Sequence, residues 1–415
     1  MRSILDRLIR RFLTEGRLCI RYPDGALTRI EGAVPGPEAG IDVRTYGALR
    51  RLITDPALAL GECYMDGTVV PLGCTIYDVL EVMLHNYQIG GWHPGNEIQV
   101  ARRMLLRRWT QWNPMARARR NVAHHYDLDD RLYEQFLDRD WQYSCAYFPR
   151  GDETIDEAQE AKKRHIAAKL LLDRPGLRVL DIGCGWGGLA LSLAQDYRAD
   201  VVGITLSTEQ LARARARAAA AGLTSRVRFE PLDYRDPALL AAGPFDRIVS
   251  VGMFEHVGIN HYDRFFQQVG RLLTRDGIAL VHAIGRLNGP AATNPWVAKY
   301  IFPGGYSPAL SEVFPAVERS GLLATDLEIL RMHYAETLRC WRRRFMARRD
   351  VVAALYDERF CRMFEIYLAG SELAFRRQDH MVWQLQVAKQ LDAVPLTRDY
   401  IAAAERPMRA REDVG

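Results

Sequence analysis

The sequence is short of what builds a cross-linked or zinc-bound scaffold. Its 415 residues hold seven cysteines, an odd number, scattered at Cys19, Cys63, Cys74, Cys145, Cys184, Cys340 and Cys361 with no CxxC pair. That spacing argues against a disulfide framework and a zinc knuckle, and it fits a reducing cytoplasm. No apolar run approaches the ~18 residues of a membrane span. Asp6, Arg7, Arg10 and Arg11 interrupt the opening before a signal peptide's apolar stretch can form. Internal repeats and low-complexity tracts are missing too. One segment lacks acid altogether, because no Asp or Glu stands between Glu97 and Asp127.

What is present suits a folded chain of two domains, with 48% hydrophobic and 26% charged residues. The net charge of +5 is modest but unevenly spread. The acid-free segment carries Arg102, Arg103, Arg107, Arg108, Arg117, Arg119 and Arg120; a second cluster runs through Arg339, Arg342, Arg343, Arg344, Arg348 and Arg349. Such clusters are either solvated helix faces or surfaces for an anionic partner, phospholipid head groups or nucleic acid. In "MRSILDRLIRRFL", Ile4, Leu5, Leu8, Ile9, Phe12 and Leu13 recur at helical spacing opposite Arg7, Arg10 and Arg11. A basic amphipathic helix of this kind lies in a membrane interface or docks on its own domain.

Three regions follow from the patterning. Residues 1–90 read as a small α+β domain of short alternating pieces, such as "RLCIRYPDG" and "IDVRTYGALRRL". Residues 91–120 read as a helical basic linker, punctuated by Pro94 and Pro114. From 121 to 400, apolar strands ("RVLDIG", "DVVGITL", "RVRFEPL", "DRIVSVG", "GIALVHAIG") alternate with helical stretches such as 207–221 and 260–273. That alternation implies an α/β fold, a mainly parallel sheet with helices on both faces.

"VLDIGCGWGG" ends the first of these strands in a glycine-rich turn that opens a helix, and Asp181, Gly183, Gly185 and Gly187 let the backbone approach a ligand closely. No Gly-Lys-Ser/Thr follows, so it is not a P-loop. D-x-G-x-G-x-G in this position resembles the Rossmann-like class I methyltransferases that bind S-adenosyl-L-methionine. Their second strand usually ends in an acid for the ribose; here "GITLSTEQ" offers the neutral Thr205 and Gln210. After the third strand, Asp233 stands where an acid can accept the adenine amine, with Tyr234 beside it. After the fourth, "SVGMFEHVG" replaces the [D/N]-P-P-[Y/F] clamp of enzymes that methylate nucleic-acid amines, which argues against a nucleic-acid partner. It places Glu255 and His256 at a strand's carboxyl end, where open α/β sheets bind ligands, and the fifth strand brings His282 to the same rim.

In "WQYSCAYF" (141–148), Cys145 stands among rings, as a packed thiol, a metal ligand, a nucleophile or a chamber wall. "NVAHHYDL", "YSCAYF", "VLDIGCGWGG", "GITLSTEQ", "MFEHVG", "HAIG", "YIFPGG" and "AFRRQD" occur in an order that resembles the cyclopropane-fatty-acyl-phospholipid synthases, and "GECYMDG" resembles the end of their N-terminal domain. The likeness extends to mycolic acid cyclopropane synthases, which lack that domain. It implies transfer of a methylene from S-adenosylmethionine to a cis double bond of an unsaturated phospholipid in the membrane. A carbocation forms on the way, and a bound bicarbonate removes its proton. It further implies that Cys145, Glu255, His282, Tyr334 and the backbone of Ile284 hold bicarbonate, with Cys145 a chamber wall. Tyr143, Ser144, Leu206 and Ser207 would join the glycine loop around the cofactor. Aromatic faces of 141–148 would stabilise the cation, and Phe360, Met363, Phe364, Tyr367 and Phe375 would line an acyl channel. No metal is implied: neither those bicarbonate residues nor His124 and His125 have local ligand spacing. The resemblance also implies a homodimer and peripheral attachment to an anionic membrane from the cytoplasmic side. A sister activity, leaving a methyl or methylene branch, shares all these motifs. Many relatives carry a cysteine where Ser371 stands, which makes that position structural.

Overall fold

A computed structural model describes residues 1–90, 102, 104–107, 109, 111, 113–114 and 129–412, with side chains described to residue 406. Arg103, Arg108, Arg117, Arg119, Arg120, His124, His125 and the "NVAHHYDL" segment lie outside the described residues. The chain divides into two compact units, one formed by 1–109, 291–303 and 334–380, the other by 110–290, 304–333 and 381–415. These units cut across the regions 1–90, 91–120 and 121–400 expected from the sequence.

The first unit holds a four-stranded sheet in the order β2-β1-β3-β4, from β1 (Glu15–Arg21), β2 (Leu27–Glu31), β3 (Val34–Val43) and β4 (Val69–Pro71). Along β1 the alternation is strict: Leu18 and Ile20 are buried, while Arg17 and Arg21 pair with Glu38 and Asp42 on β3. "IDVRTYGALRRL" is only half strand. Thr45 accepts from the Ala48 N–H at 3.1 Å and starts a helix, Tyr46–Thr54, which buries Ala48, Leu49 and Leu52 at helical spacing. The N-terminal helix Arg2–Phe12 buries Leu5 and Ile9 and packs against that helix and β2, so half its apolar stripe is docked on its own unit while Ile4 stays exposed. The long helix Glu358–Arg377 packs on helices Ile76–Gln88 and Pro56–Met65 of this unit. Its Phe364, Tyr367 and Phe375 are buried, and Phe360 stacks on Tyr356 at 4.0 Å. The arginine cluster at 339–349 is partly consumed internally. Arg339 pairs with Glu336, Arg342 with Glu372, and Arg349 with Glu358.

The second unit holds a seven-stranded sheet in the order β10-β11-β9-β8-β5-β6-β7. Its strands are β5 (Arg178–Ile182), β6 (Asp200–Ile204), β7 (Val227–Glu230), β8 (Phe245–Val251), β9 (Leu273–Arg286), β10 (Leu323–Leu330) and β11 (His380–Ala388). The five from β5 to β9 pair in parallel, and β10 runs antiparallel to β11. Alternation along β5 sends Leu180 and Ile182 into a core with Phe254, Phe265, Phe266 and Trp383, and Val179 into another with Val201, Leu193 and Phe229. Each fully buried ring among these contributes roughly 2–3 kcal/mol of transfer free energy. From β5 the chain winds outward through β6 and β7, then returns to β8 on the other side. Helix Ile155–Lys169 opens with a capping box between Thr154 and Glu157 and is buried along almost its whole circumference.

Candidate active site

The parallel register levels the strand ends: Ile182 stands opposite Ile204 and Ser250, and Val251 opposite His282. A cavity opens above them, lined by Gly183–Trp186 after β5, Thr205 and Leu206 after β6, Leu232–Arg235 after β7, and Gly252 and Met253 after β8. This is the crevice where the winding reverses direction. Gly183 has φ +82° and a Cβ there would lie 2.8 Å from that of Met253. At Gly187, φ is +81° and a Cβ would lie 2.6 Å from the Phe229 ring. Ten of the twelve residues expected around a cofactor line the cavity: Tyr143, Ser144, Asp181, Gly183, Gly185, Thr205, Leu206, Gln210, Asp233 and Tyr234. The other two, Gly187 and Ser207, cap the helices that follow β5 and β6.

The polar groups of this cavity are unequally satisfied. Asp181 is 2% exposed, its Oδ2 has no hydrogen-bond partner, and burial pushes its carboxyl up to about 7. Asp233, expected to accept the adenine amine, lines the cavity and is itself held by a neighbouring cation. Arg235 grips both its oxygens, giving Oδ1 its backbone N–H and Nε and giving Oδ2 an Nη at 2.7 Å. Only Oδ2 keeps ready acceptor capacity. Thr205 Oγ1 donates to Gln210 Oε1 at 3.1 Å, which leaves the Gln210 amide nitrogen as a donor.

Residues 141–144 form another wall. Trp141 adopts a left-handed φ of 60°, uncommon for a bulky residue, with the Arg213 guanidinium 3.6 Å over its ring and Trp186 edge-on at 5.5 Å. Ser144 Oγ and Gln142 Oε1 accept from Lys162 Nζ at 2.8 and 2.6 Å. Tyr147 stacks on His165 at 4.2 Å and on His333 at 4.9 Å. Two rings stacked that close cannot share a face, so Tyr147 has none left for a cation. Of the rings in "WQYSCAYF", Trp141 and Tyr143 line the cavity.

Cys145, Glu255, His282 and Ile284 are not among the residues that line the cofactor cavity. Glu255 Oε1 accepts from the Ile284 N–H at 2.7 Å, so two of the expected bicarbonate ligands bond each other. Its Oε2 has no partner, and burial pushes the carboxyl up to about 7. His282 is buried and held well below its usual range, hence neutral, and Nδ1 lies 3.1 Å from the Gln384 amide. Cys145 is 1% exposed and its Sγ reaches the Ala146 carbonyl at 3.3 Å. Tyr334 belongs to the other unit, where its ring lies 4.9 Å from that of Phe375. Among the described residues, no group of three His, Cys, Asp or Glu side chains is arranged to hold a metal ion.

Sequence reasoning missed Lys162, Arg235, Asn113 and Gln142. Arg235 also donates to the Asn113 carbonyl at 2.9 Å, tying residue 113 to the cavity rim. Arg235 was legible as a cation two residues from an acid. Lys162 was not, because "EAKKRHIAAK" has the look of a solvated face.

Comparison with known proteins follows the same outline. The mycolic acid cyclopropane synthetase family profile matches residues 114–385. The cyclopropane-fatty-acyl-phospholipid synthase of Escherichia coli is 38% identical over 367 residues, covering 88% of this chain and 90% of that one. The tuberculostearic acid methyltransferase UfaA1 of Mycobacterium tuberculosis is 37% identical, covering 90% and 88%. Among solved structures, the cyclopropane synthase MmaA2 of M. tuberculosis superposes with a TM-score of 0.62 at 33% identity, covering 67% of this chain and 99% of its own. The mycolic acid cyclopropane synthase CmaA1, in complex with SAH and CTAB, gives 0.60 at 34%, covering 67% and 99%. The fold is that of the class I methyltransferases, as the alternation of strands and helices implied.

Proposed function

The chain belongs to the mycolic acid cyclopropane synthetase family, and from that premise we propose that it converts cis-unsaturated acyl chains of membrane phospholipids to cyclopropane chains, using S-adenosylmethionine. The observation that carries this reading is the cavity itself. Its glycine turns leave room for a ligand beside an orphaned buried carboxylate, Asp181 Oδ2, which suits the ammonium of an amino-acid end. Support for phospholipid as acceptor comes from the match to the E. coli synthase, which extends beyond the part aligned with the mycolic acid enzymes.

When bound, S-adenosylmethionine supplies a methyl group on a sulfonium. The residues of the chain would do the rest by orientation and exclusion of water, because an alkene is a poor nucleophile that no base can activate. Tyr143 and Trp141 are the rings of this segment that line the cavity, and we assign them to stabilise a developing cation. Cys145, Glu255, His282, the backbone of Ile284 and Tyr334 are the residues we assign to hold bicarbonate, a small acceptor for the departing proton. Their chemistry fits an anion that both donates and accepts. Neutral His282 can do either, and Glu255 Oε2 is a donor when protonated and an acceptor when not.

We assign residues 1–90 and the basic 91–120 linker to binding an anionic membrane surface, residues 121–400 to catalysis, and the aromatic residues of helix Glu358–Arg377 to the acyl channel. No helix among the described residues is long and apolar enough to cross a membrane. We take attachment to be peripheral, on the cytoplasmic face, by a homodimer whose two surfaces act together. A methyl- or methylene-branched product is the second reading, favoured by the match to a tuberculostearic acid methyltransferase at nearly the same identity and coverage.

The test is incubation of the pure protein with S-adenosylmethionine and vesicles of cis-monounsaturated phospholipid, followed by mass spectrometry and proton NMR of the acyl chains. Gain of CH2 with loss of the alkene and upfield ring protons is the expected result. A branched or exomethylene chain would move the assignment to the second reading, and no gain of mass would overturn both.

A further inference from the structure

The mechanism above leaves unused a fully buried cation of the second unit. Lys162, on helix Ile155–Lys169, is 0% exposed. A lysine is almost never fully buried unless its ammonium has partners that justify the desolvation. Its bonding partners are two cavity-lining side chains, Gln142 Oε1 at 2.6 Å and Ser144 Oγ at 2.8 Å. The neighbouring Lys163 is spoken for by Asp140 and Glu160 at 2.8 and 2.9 Å, so the two adjacent lysines have separate tasks.

The bonds around Lys162 dictate where protons point. Gln142 is locked, because Oε1 takes the ammonium and Nε2 donates to Asp140 Oδ2 at 2.9 Å. Gln159 fixes the backbone on either side by donating to the carbonyls of Gln142 and Ser144. Ser144 Oγ therefore accepts from an ammonium, and its hydroxyl hydrogen must leave in another direction. Among the described residues it meets no protein acceptor. Its outlet is the cavity. The positive charge is also felt at Asp181, whose orphaned Oδ2 lines the same cavity. Ser144 thus presents a donor backed by a buried cation, and Asp181 presents an acceptor. Together they match a zwitterion, carboxylate toward Ser144 and ammonium toward Asp181.

We propose that Lys162 is a positioning residue for cofactor recognition, holding Ser144 as an oriented, charge-backed donor to the carboxylate of the cofactor's amino-acid end. The assignment rests on the cofactor reading given under Proposed function. Lys162 acts through Ser144 and discriminates ligands that carry an amino-acid carboxylate from those that do not.

The test compares two ligands that share the adenosine thioether but differ at that end. S-adenosylhomocysteine keeps the amino-acid group, and 5′-methylthioadenosine lacks it. Binding of both is measured by calorimetry for wild type, Lys162→Met, Ser144→Ala and the double variant, with thermal denaturation as a check on folding. Lys162→Met should weaken S-adenosylhomocysteine about ten- to a hundredfold, the loss typical of a charge-assisted hydrogen bond, and 5′-methylthioadenosine less than about twofold. Ser144→Ala should show the same selectivity, and the double variant should lose little more than either single one. Equal losses for both ligands would make Lys162 merely structural, and unchanged binding or additive losses would likewise overturn the proposal. Should Lys162→Met fail to fold, Lys162→Gln, which keeps a donor without the charge, decides the matter by the same comparison. If wild type binds neither ligand, the cofactor reading itself falls, and this inference with it.

Discussion

Replacing Glu255 by Gln should stabilise the protein while removing its activity. The carboxyl is buried, one oxygen is orphaned, and its titration is pushed up to about 7, so the folded state holds a proton that the unfolded chain releases at its ordinary value near 4.5. A raised acid destabilises the folded form as pH climbs. The penalty is small below the unfolded value, grows between 4.5 and 7, and is complete above the folded value. At 1.36 kcal/mol per unit, ionised Glu255 costs the fold roughly 3 kcal/mol at pH 8 and about 1 kcal/mol at pH 5. Gln keeps the oxygen that accepts from Ile284 N–H and has no charge to desolvate. Denaturant titrations of both proteins at pH 5 and pH 8 should show the variant gaining on wild type by on the order of 2 kcal/mol more at the higher pH. Acyl-chain conversion should be lost at both. A gain that is the same at both pH values, or a variant less stable at pH 8, would refute the claim that an uncompensated buried carboxylate sits here.

Arg235→Leu leaves Asp233 buried and unpaired, which should cost about 3–5 kcal/mol in denaturant titration, and Asp233→Asn in the same chain should recover part of that. Gly187→Ala combines a left-handed φ of 81° with a contact 2.6 Å from the Phe229 ring, so thermal denaturation should register a loss on the order of 2–4 kcal/mol. Ser371→Cys, at a partly buried site on helix Glu358–Arg377, should leave the conversion rate within about twofold, since a thiol replaces a hydroxyl of similar size. A large rise in rate would give that position a role in the chemistry.

The five parallel strands were legible because they are apolar and rich in β-branched residues, and because Asp181 and the glycine loop punctuate the first of them where the winding reverses; β10 and β11 were not among the strands read from the sequence. Patterning gave the strand ends, and with them Asp181, Gly183, Gly185, Thr205, Gln210, Asp233 and Tyr234 of the cavity lining, while Tyr143, Ser144 and Leu206 came only with the family resemblance. What it could not give are interactions decided by partners far along the chain. His165 is buried between Glu328 and Glu405, and Lys169 is paired with Glu328, although both sit in a run that scores as a solvated helix. Arg342 lies over the Tyr77 ring and bonds Glu372, so part of a cluster that suggested an anionic partner is an internal fastening. Helix Glu358–Arg377 follows the catalytic strands in sequence yet clusters with the first unit, because its buried aromatic stripe finds the helices of residues 56–88.

Most buried or half-buried carboxylates among the described residues are answered. Glu372 meets Arg342 and Arg376, Glu328 meets His165 and Lys169, Asp140 meets Lys163 and Arg217, and Glu62 meets Arg51 and Lys299. Asp181 and Glu255 break that rule, each with one oxygen left without a partner. An orphaned buried oxygen costs about 1–3 kcal/mol, and nothing in the packing of β5 or of the turn after β8 requires a carboxylate. Trp141 adds a left-handed backbone beside the same cavity, another cost that a smaller residue or glycine would avoid. These two carboxylates and the left-handed Trp141 lie at or beside the strand ends, while paired charges fasten other parts of the fold. Selection for stability alone would have removed such uncompensated groups, which agrees with the proposal that a ligand completes them. The stabilisation expected of Glu255→Gln and the selective loss expected of Lys162→Met test two parts of this: the first removes a carboxylate the fold would rather not bury, and the second removes the buried cation that backs the Ser144 donor of the cofactor cavity.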